Sequence, residues 1–250
     1  MTGTGRQQGP AWARLLTAAV LVLPLSLPAV AGDRVPLPHL RPPYSGGTTA
    51  VATNAEDAAN ALARPVAVKV DPNSPFSPAQ QAALANINAY FNSFALMEGQ
   101  FIQFGPTGEQ SEGVFFLSRP GKIRFHYSPP ARLDVISDGS TVVVKDGKTN
   151  TQDMYPLAKT PLRYLLARNI DLTSSQLVSS VKQEPDLISL QIVEQGAFVQ
   201  GKLTLIFDRK TYALRQWVVT DAQGLNTSVD IFNTTTGKPQ DPNLFRITVQ

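Results

Sequence analysis

The sequence predicts a mainly β protein, a curved antiparallel sheet of about eleven strands that curls into a barrel or half-barrel. Three observations point there. Between residues 95 and 232, short apolar runs follow one another, punctuated by turn pairs such as Gly105-Pro106, Asp138-Gly139, Asp146-Gly147 and Gln223-Gly224. Several runs are apolar on both faces: Val114-Phe115-Phe116-Leu117, Val142-Val143-Val144, Leu203-Thr204-Leu205-Ile206-Phe207 and Trp217-Val218-Val219. An antiparallel sheet normally keeps one face wet, so these runs need covering on both sides. Finally, only two helical segments are at hand to cover them. A sheet that curls on itself around those helices satisfies all three.

Taken in order, the chain opens with Arg6 and Arg14 ahead of the apolar stretch Leu15–Leu27, which closes on Pro28-Ala29-Val30-Ala31. A basic start, a short apolar centre and an Ala-x-Ala end predict a secretory signal peptide over 1–31, cut after Ala31. The apolar stretch falls short of the ~20 residues that a spanning helix needs. Residues 32–77 hold Pro36, Pro38, Pro42, Pro43, Pro65, Pro72 and Pro75 around Gly46-Gly47, a composition that predicts a Pro-rich flexible linker. The folded domain is expected over 78–250. Ser77 as cap and Pro78 as first helical residue start a helix over 78–93, with Leu84, Ile87, Tyr90, Phe91 and Phe94 on one face. Strands are expected at 95–104, 110–118, 122–128, 132–137, 141–145, 150–155, 176–184, 187–195, 201–208, 212–220 and 225–232. Between the sixth and seventh, Thr160-Pro161 opens a short helix ending at Ala167-Arg168-Asn169, rich in large apolar side chains.

Composition narrows the function classes. Without Arg6 and Arg14 the formal charge falls from +3 to +1, and no Lys/Arg cluster makes a nucleic-acid footprint. The chain has no cysteine, which excludes disulfides, thiolate metal sites and a cysteine-linked lipid anchor of its own. Of its two histidines, His39 falls in the linker, and His126 lies on the polar side of its strand with no obvious acid partner. Asp134 and Asp138 share a strand face, and Ser137 precedes Asp-Gly in a turn rather than standing on a nucleophile elbow. No catalytic constellation, metal site or cofactor follows from the sequence. An ordinary core filled by its own side chains fits the apolar runs as well as a cavity does. Periodicity reaches a curved sheet and stops short of a ligand.

Motifs reach further. Gly99-Gln100-Phe101, then Gly113-Val114-Phe115-Phe116-Leu117-Ser118-Arg119-Pro120-Gly121-Lys122-Ile123-Arg124-Phe125, then Val135-Ile136-Ser137-Asp138-Gly139, then Thr160-Pro161 before Ala167-Arg168-Asn169, occur in order behind a signal peptide. In this they resemble the outer-membrane lipoprotein carrier family (LolA), over residues 80–247. The resemblance implies an incomplete barrel whose helices form a lid over an apolar cavity. It implies a periplasmic monomer whose cargo is the acyl chains of lipoproteins. Its partners would be an inner-membrane ABC-type lipoprotein-releasing transporter and an outer-membrane acceptor.

The resemblance also assigns residues. Arg119 takes the place of the family's lid latch, bonded to backbone carbonyls of the lid helix around Tyr164–Ala167. Ile123 and Phe125 match cavity-facing positions, Leu162, Leu165 and Leu166 would be lid contacts, and Phe101, Phe116 and Trp217 are further candidates for the lining. Two departures stand out: the proline-rich arm, and Arg163 where an apolar residue belongs. A sensor of lipid or lipoprotein, or a carrier of free lipid or glycolipid, would use the same fold.

Overall fold

The structure is a computed structural model that describes residues 70–173, 178–196, 199–221 and 223–248. The signal peptide and nearly all of the expected linker lie outside these residues. Eleven strands form one antiparallel sheet. The first six are β1 (Leu96–Phe104), β2 (Gln110–Ser118), β3 (Lys122–Tyr127), β4 (Leu133–Asp138), β5 (Thr141–Asp146) and β6 (Thr151–Pro156). The other five are β7 (Val178–Gln183), β8 (Leu187–Gly196), β9 (Val199–Asp208), β10 (Leu214–Thr220) and β11 (Asn226–Thr236). The order is β6-β5-β4-β3-β2-β1-β11-β10-β9-β8-β7, so β1 and β11 join two meanders and the sheet stays open between β6 and β7.

Helix α1 (Pro78–Asn92) lies inside the curve. Ser77 caps it reciprocally: its Oγ accepts from the Gln80 N–H at 3.3 Å, while Gln80 Oε1 accepts from the Ser77 N–H at 2.8 Å. The same Gln80 donates from Nε2 to Val181 O at 2.8 Å, and Gln183 Nε2 on β7 donates to Ala79 O at 2.9 Å. The helix start is thereby fastened to the β7 edge strand, whose unpaired backbone would otherwise be a template for another chain. Leu84, Ile87, Tyr90 and Phe91 form the buried face, and Phe91 stands edge-on to Phe207, 5.6 Å between ring centres. Order begins ahead of the expected boundary at 78. Gln81 accepts from the Asp71 N–H and donates to Asp71 O and Phe76 O, binding the end of the arm to the helix.

The segment that crosses the open side is shorter in helix than expected. A 3-10 turn (Leu157–Lys159) is followed by α2 (Leu162–Leu165), four residues in place of the roughly eight expected after a cap at Thr160. Thr160 does not cap α2; its hydroxyl donates to Leu157 O at 2.9 Å and closes the 3-10 turn. Competing bonds account for the early stop. Leu166 O is taken by the Gly121 N–H at 2.8 Å. Asn92 then grips Ile170 twice, accepting from its N–H at 3.0 Å and donating to its carbonyl at 2.8 Å, and Asn88 accepts from the Leu172 N–H at 2.9 Å. The chain is drawn straight toward α1.

One run apolar on both faces, Val142-Val143-Val144, now has an explanation. Strand alternation sends Val142 and Val144 into the interior and turns Val143 outward. Val143 and its neighbour across the ladder, Ile136, are buried yet stand apart from the interior cluster. The C-terminal segment covers them. Its turn Pro242–Phe245 lies against β3 and β4 with Phe245 buried. Lys238 pairs with Glu98 at 2.7 Å, Gln240 Nε2 donates to Met97 O at 2.9 Å, and Lys145 Nζ donates to Thr248 O at 2.8 Å.

Candidate functional site

The concave face of the sheet, α1 and α2 enclose an apolar chamber. It is almost closed. Two hollows in it each have about 30 Å³ of free space, enough for one or two waters. Phe125, Leu165 and Trp217 line both and form the partition between them. Phe125 lies 5.9 Å from Trp217 between ring centres, and Phe101 packs edge-on to Phe125 at 5.1 Å and to Tyr127 at 4.9 Å. Gln103, Tyr127 and Thr160 bring polar side chains to the first hollow, and each is engaged: Tyr127 OH donates to Gln103 Oε1 at 2.7 Å, and the Thr160 hydroxyl donates to Leu157 O. Burial holds the Tyr127 phenol well above its ordinary range, so it remains a neutral donor. The chamber therefore offers a guest contact surface and few spare hydrogen bonds.

The structure brings together Ile123, Phe125, Leu162, Leu165 and Trp217 on the hollows. Leu166 is buried in the interior cluster beside them, and Phe101 stands behind Phe125 in the wall. Phe116 is elsewhere. It pairs with Glu98 and Arg124 on the outer face, half-buried, because Phe115 and Leu117 on either side of it point inward. Met97 and Leu214, not singled out from the sequence, also line the second hollow, as does Phe91 from the apolar face of α1.

Arg119 departs most from expectation. Its Nη2 donates to Phe91 O and to Phe94 O, the latter at 2.6 Å, at the C-terminal end of α1 and not to α2. A helix end leaves carbonyls unpaired and carries partial negative charge, which a guanidinium satisfies. The guanidinium carbon also sits 4.6 Å from the Phe94 ring centre. Burial pulls its pKa below the usual arginine range, and Nε and Nη1 have no partner among the described residues.

The bond to α2 comes instead from Gly121, two residues on. Its φ of +78° suits glycine, and a Cβ there would lie 2.7 Å from Gly139 Cα. Ser137 Oγ donates to Gly121 O at 2.7 Å, which fixes this peptide with its N–H facing Leu166. Outside the chamber, His126 does have an acid partner: Asp134 Oδ1 lies 2.9 Å from its Nδ1 and also accepts from Arg124 Nε at 3.1 Å. Asp138 serves its turn, accepting from the Ser140 and Thr141 N–H groups.

An open sheet wrapped round an apolar chamber, with a short lid over its gap, defines a half-barrel suited to holding lipophilic guests. Residues 92–248 match the family model described as outer membrane lipoprotein carrier protein LolA. The chain belongs to this family. The outer-membrane lipoprotein carrier protein of Methylococcus capsulatus is 25% identical over 182 residues, covering 68% of this chain and 85% of that protein. The carrier of Alkalilimnicola ehrlichii is 31% identical over 72 residues, 27% of this chain and 34% of its own. Among solved structures, the LolA superfamily protein NE2245 of Nitrosomonas europaea has a TM-score of 0.38 at 9% identity, covering 66% of this chain and 97% of that one. The MucA/MucB complex of Pseudomonas aeruginosa has a TM-score of 0.40 at 15% identity, covering 69% and 62%.

Proposed function

We propose that this protein is a periplasmic carrier that takes the acyl chains of lipoproteins into its chamber and moves them from the inner to the outer membrane. It would load from an ABC-type releasing transporter and unload to an outer-membrane acceptor, acting as a monomer. The partition formed by Phe125, Leu165 and Trp217 carries the reading. One of its three members sits on the lid, so lifting α2 removes Leu165 and merges the two hollows.

Energetics favour a chamber that is closed when empty. Burying a methylene is worth ~0.8 kcal/mol, and three acyl chains hold on the order of 45, so complete burial would release tens of kcal/mol. A carrier bound that tightly could not unload. Here the empty protein buries its own aromatic surface, and loading exchanges that self-packing for cargo packing. Net affinity is the difference between the two, and can be small.

Arg119→Leu tests the cycle. It removes both bonds to the end of α1, whose Asn92 anchors the lid at Ile170, and so weakens the closed state, leaving cargo held more firmly. In a transfer assay with outer-membrane vesicles, the variant is expected to retain acylated protein that the natural protein releases. Equal release by both would sink the cycle, and a natural protein that carries no acylated protein would sink the carrier reading.

A further inference from the structure

A cleft with about 250 Å³ of free space opens where the end of α1, the β2–β3 turn and the end of the lid meet, against about 30 Å³ in either hollow of the chamber. At ~30 Å³ a water, it has room for about eight waters or a short stretch of chain. The cleft shares two residues with the second hollow, Phe94 and Arg119, and none with the first. The Arg119 guanidinium carbon lies 4.6 Å from the Phe94 ring centre, so this stacked pair is the partition between chamber and cleft. Arg119 is also the one charged residue lining either hollow. A way from the apolar interior to water therefore runs past Phe94 and Arg119.

Chemistry says what would pass it. Acyl chains need apolar contact and nothing more, but the polypeptide they modify carries an N–H and a C=O at nearly every residue, and these must find partners. The polar groups on the chamber lining are already engaged, Tyr127 with Gln103 and Thr160 with Leu157. The cleft is better suited to a peptide. Exposed Arg168 brings donors, and the Ser93 hydroxyl, which donates to Tyr90 O at 2.7 Å, can still accept. Phe94, Ala95 and Pro120 supply apolar ground between them. Resting on the acyl-chain reading, we propose that the cleft seats the cargo's polypeptide, the first few residues beyond its acylated end. A carrier so built separates acylated protein from free lipid bearing the same chains.

The chain has no cysteine, so a single introduced thiol is a unique attachment point. Ser93→Cys and Ala95→Cys, both at exposed positions, would each carry a benzophenone label in the cleft, and Asp153→Cys would carry one on β6 at the rim of the sheet. Each labelled full chain is mixed with a synthetic triacylated peptide, loading is read by co-elution, and photoproducts are mapped by mass spectrometry. Labels in the cleft are expected to join the first residues of the peptide, and the label on β6 to leave it unjoined. In a parallel titration, the triacylated peptide is expected to bind about tenfold tighter than the same triacylated residue without further peptide, the margin that one or two net hydrogen bonds supply. A loaded peptide joined from β6 as often as from the cleft, or from neither, would overturn the peptide seat and leave the acyl chamber standing, as would equal affinities. Natural protein that loads neither acylated compound would overturn both readings.

Discussion

The two covers of the chamber are built differently. Helix α1 has 15 residues, a reciprocal cap, two side-chain bonds to β7 and Arg119 across its far end. Helix α2 has four residues, no side-chain cap and one backbone bond to the sheet turn at Gly121. An isolated single turn cannot hold itself together, so α2 exists through its packing and its neighbours' bonds. The difference teaches which part is the better held. α1 belongs to the wall, and the lid is a strap tied at one end by Asn88 and Asn92 and at the other by Gly121.

Five substitutions would break or sharpen that contrast. The largest effect is expected from Ile87→Ala on α1, fully buried in the described fold, at about 2–5 kcal/mol by denaturant unfolding. Leu165→Ala removes a similar side chain from the lid, where two hollows already adjoin it. It should cost about half as much and raise the binding of an apolar dye. Equal losses without a gain in dye binding would erase the distinction between wall and strap. Next comes Asn92→Ala, which strands the N–H and carbonyl of Ile170 and should cost about 1–3 kcal/mol. Amide exchange should quicken at Ile170 and Leu172 while α1 stays protected; quickening throughout α1 would show that helix and strap open as one.

Ser77→Ala, at the cap, is expected to cost about 1 kcal/mol and to leave lid exchange untouched. The smallest change is Asp230→Asn. Burial raises the Asp230 carboxyl above its ordinary range, partly offset by a bond from Gln216. A carboxyl whose folded pKa is raised weakens the fold once it ionises, so stability falls as pH rises through that pKa. Asparagine should therefore raise the melting temperature slightly at neutral pH, and the gain should vanish in acid. A gain that persists in acid would assign the effect to packing.

Strands and turns were legible in the sequence because their signals are local. Gly105-Pro106, Asp138-Gly139 and Asp146-Gly147 mark chain reversals whatever surrounds them, and the strands fall within a few residues of expectation. The facing of Phe116 was recoverable too. Leu117 pairs with Ile123 across the β2–β3 turn, so placing Ile123 inward places Leu117 and Phe115 inward and Phe116 out. The partner of Arg119 was not recoverable in this way. A side chain with several rotatable bonds can reach the ends of both helices, and only the assembled fold selects Phe91 and Phe94. The length of α2 was hidden for the same reason: Gly121 and Asn92, distant in sequence, end it.

The missing ladder between β6 and β7 has a mechanical meaning. A closed barrel has a circumference locked by its strand number and stagger, and stretching it would break hydrogen bonds along a whole seam. In an open sheet of eleven strands, small changes of twist at each of the intervening ladders add up at the rims and break none of them. Such a sheet behaves as a spring clip with its jaws at β6 and β7, and its bore is set by whatever it grips.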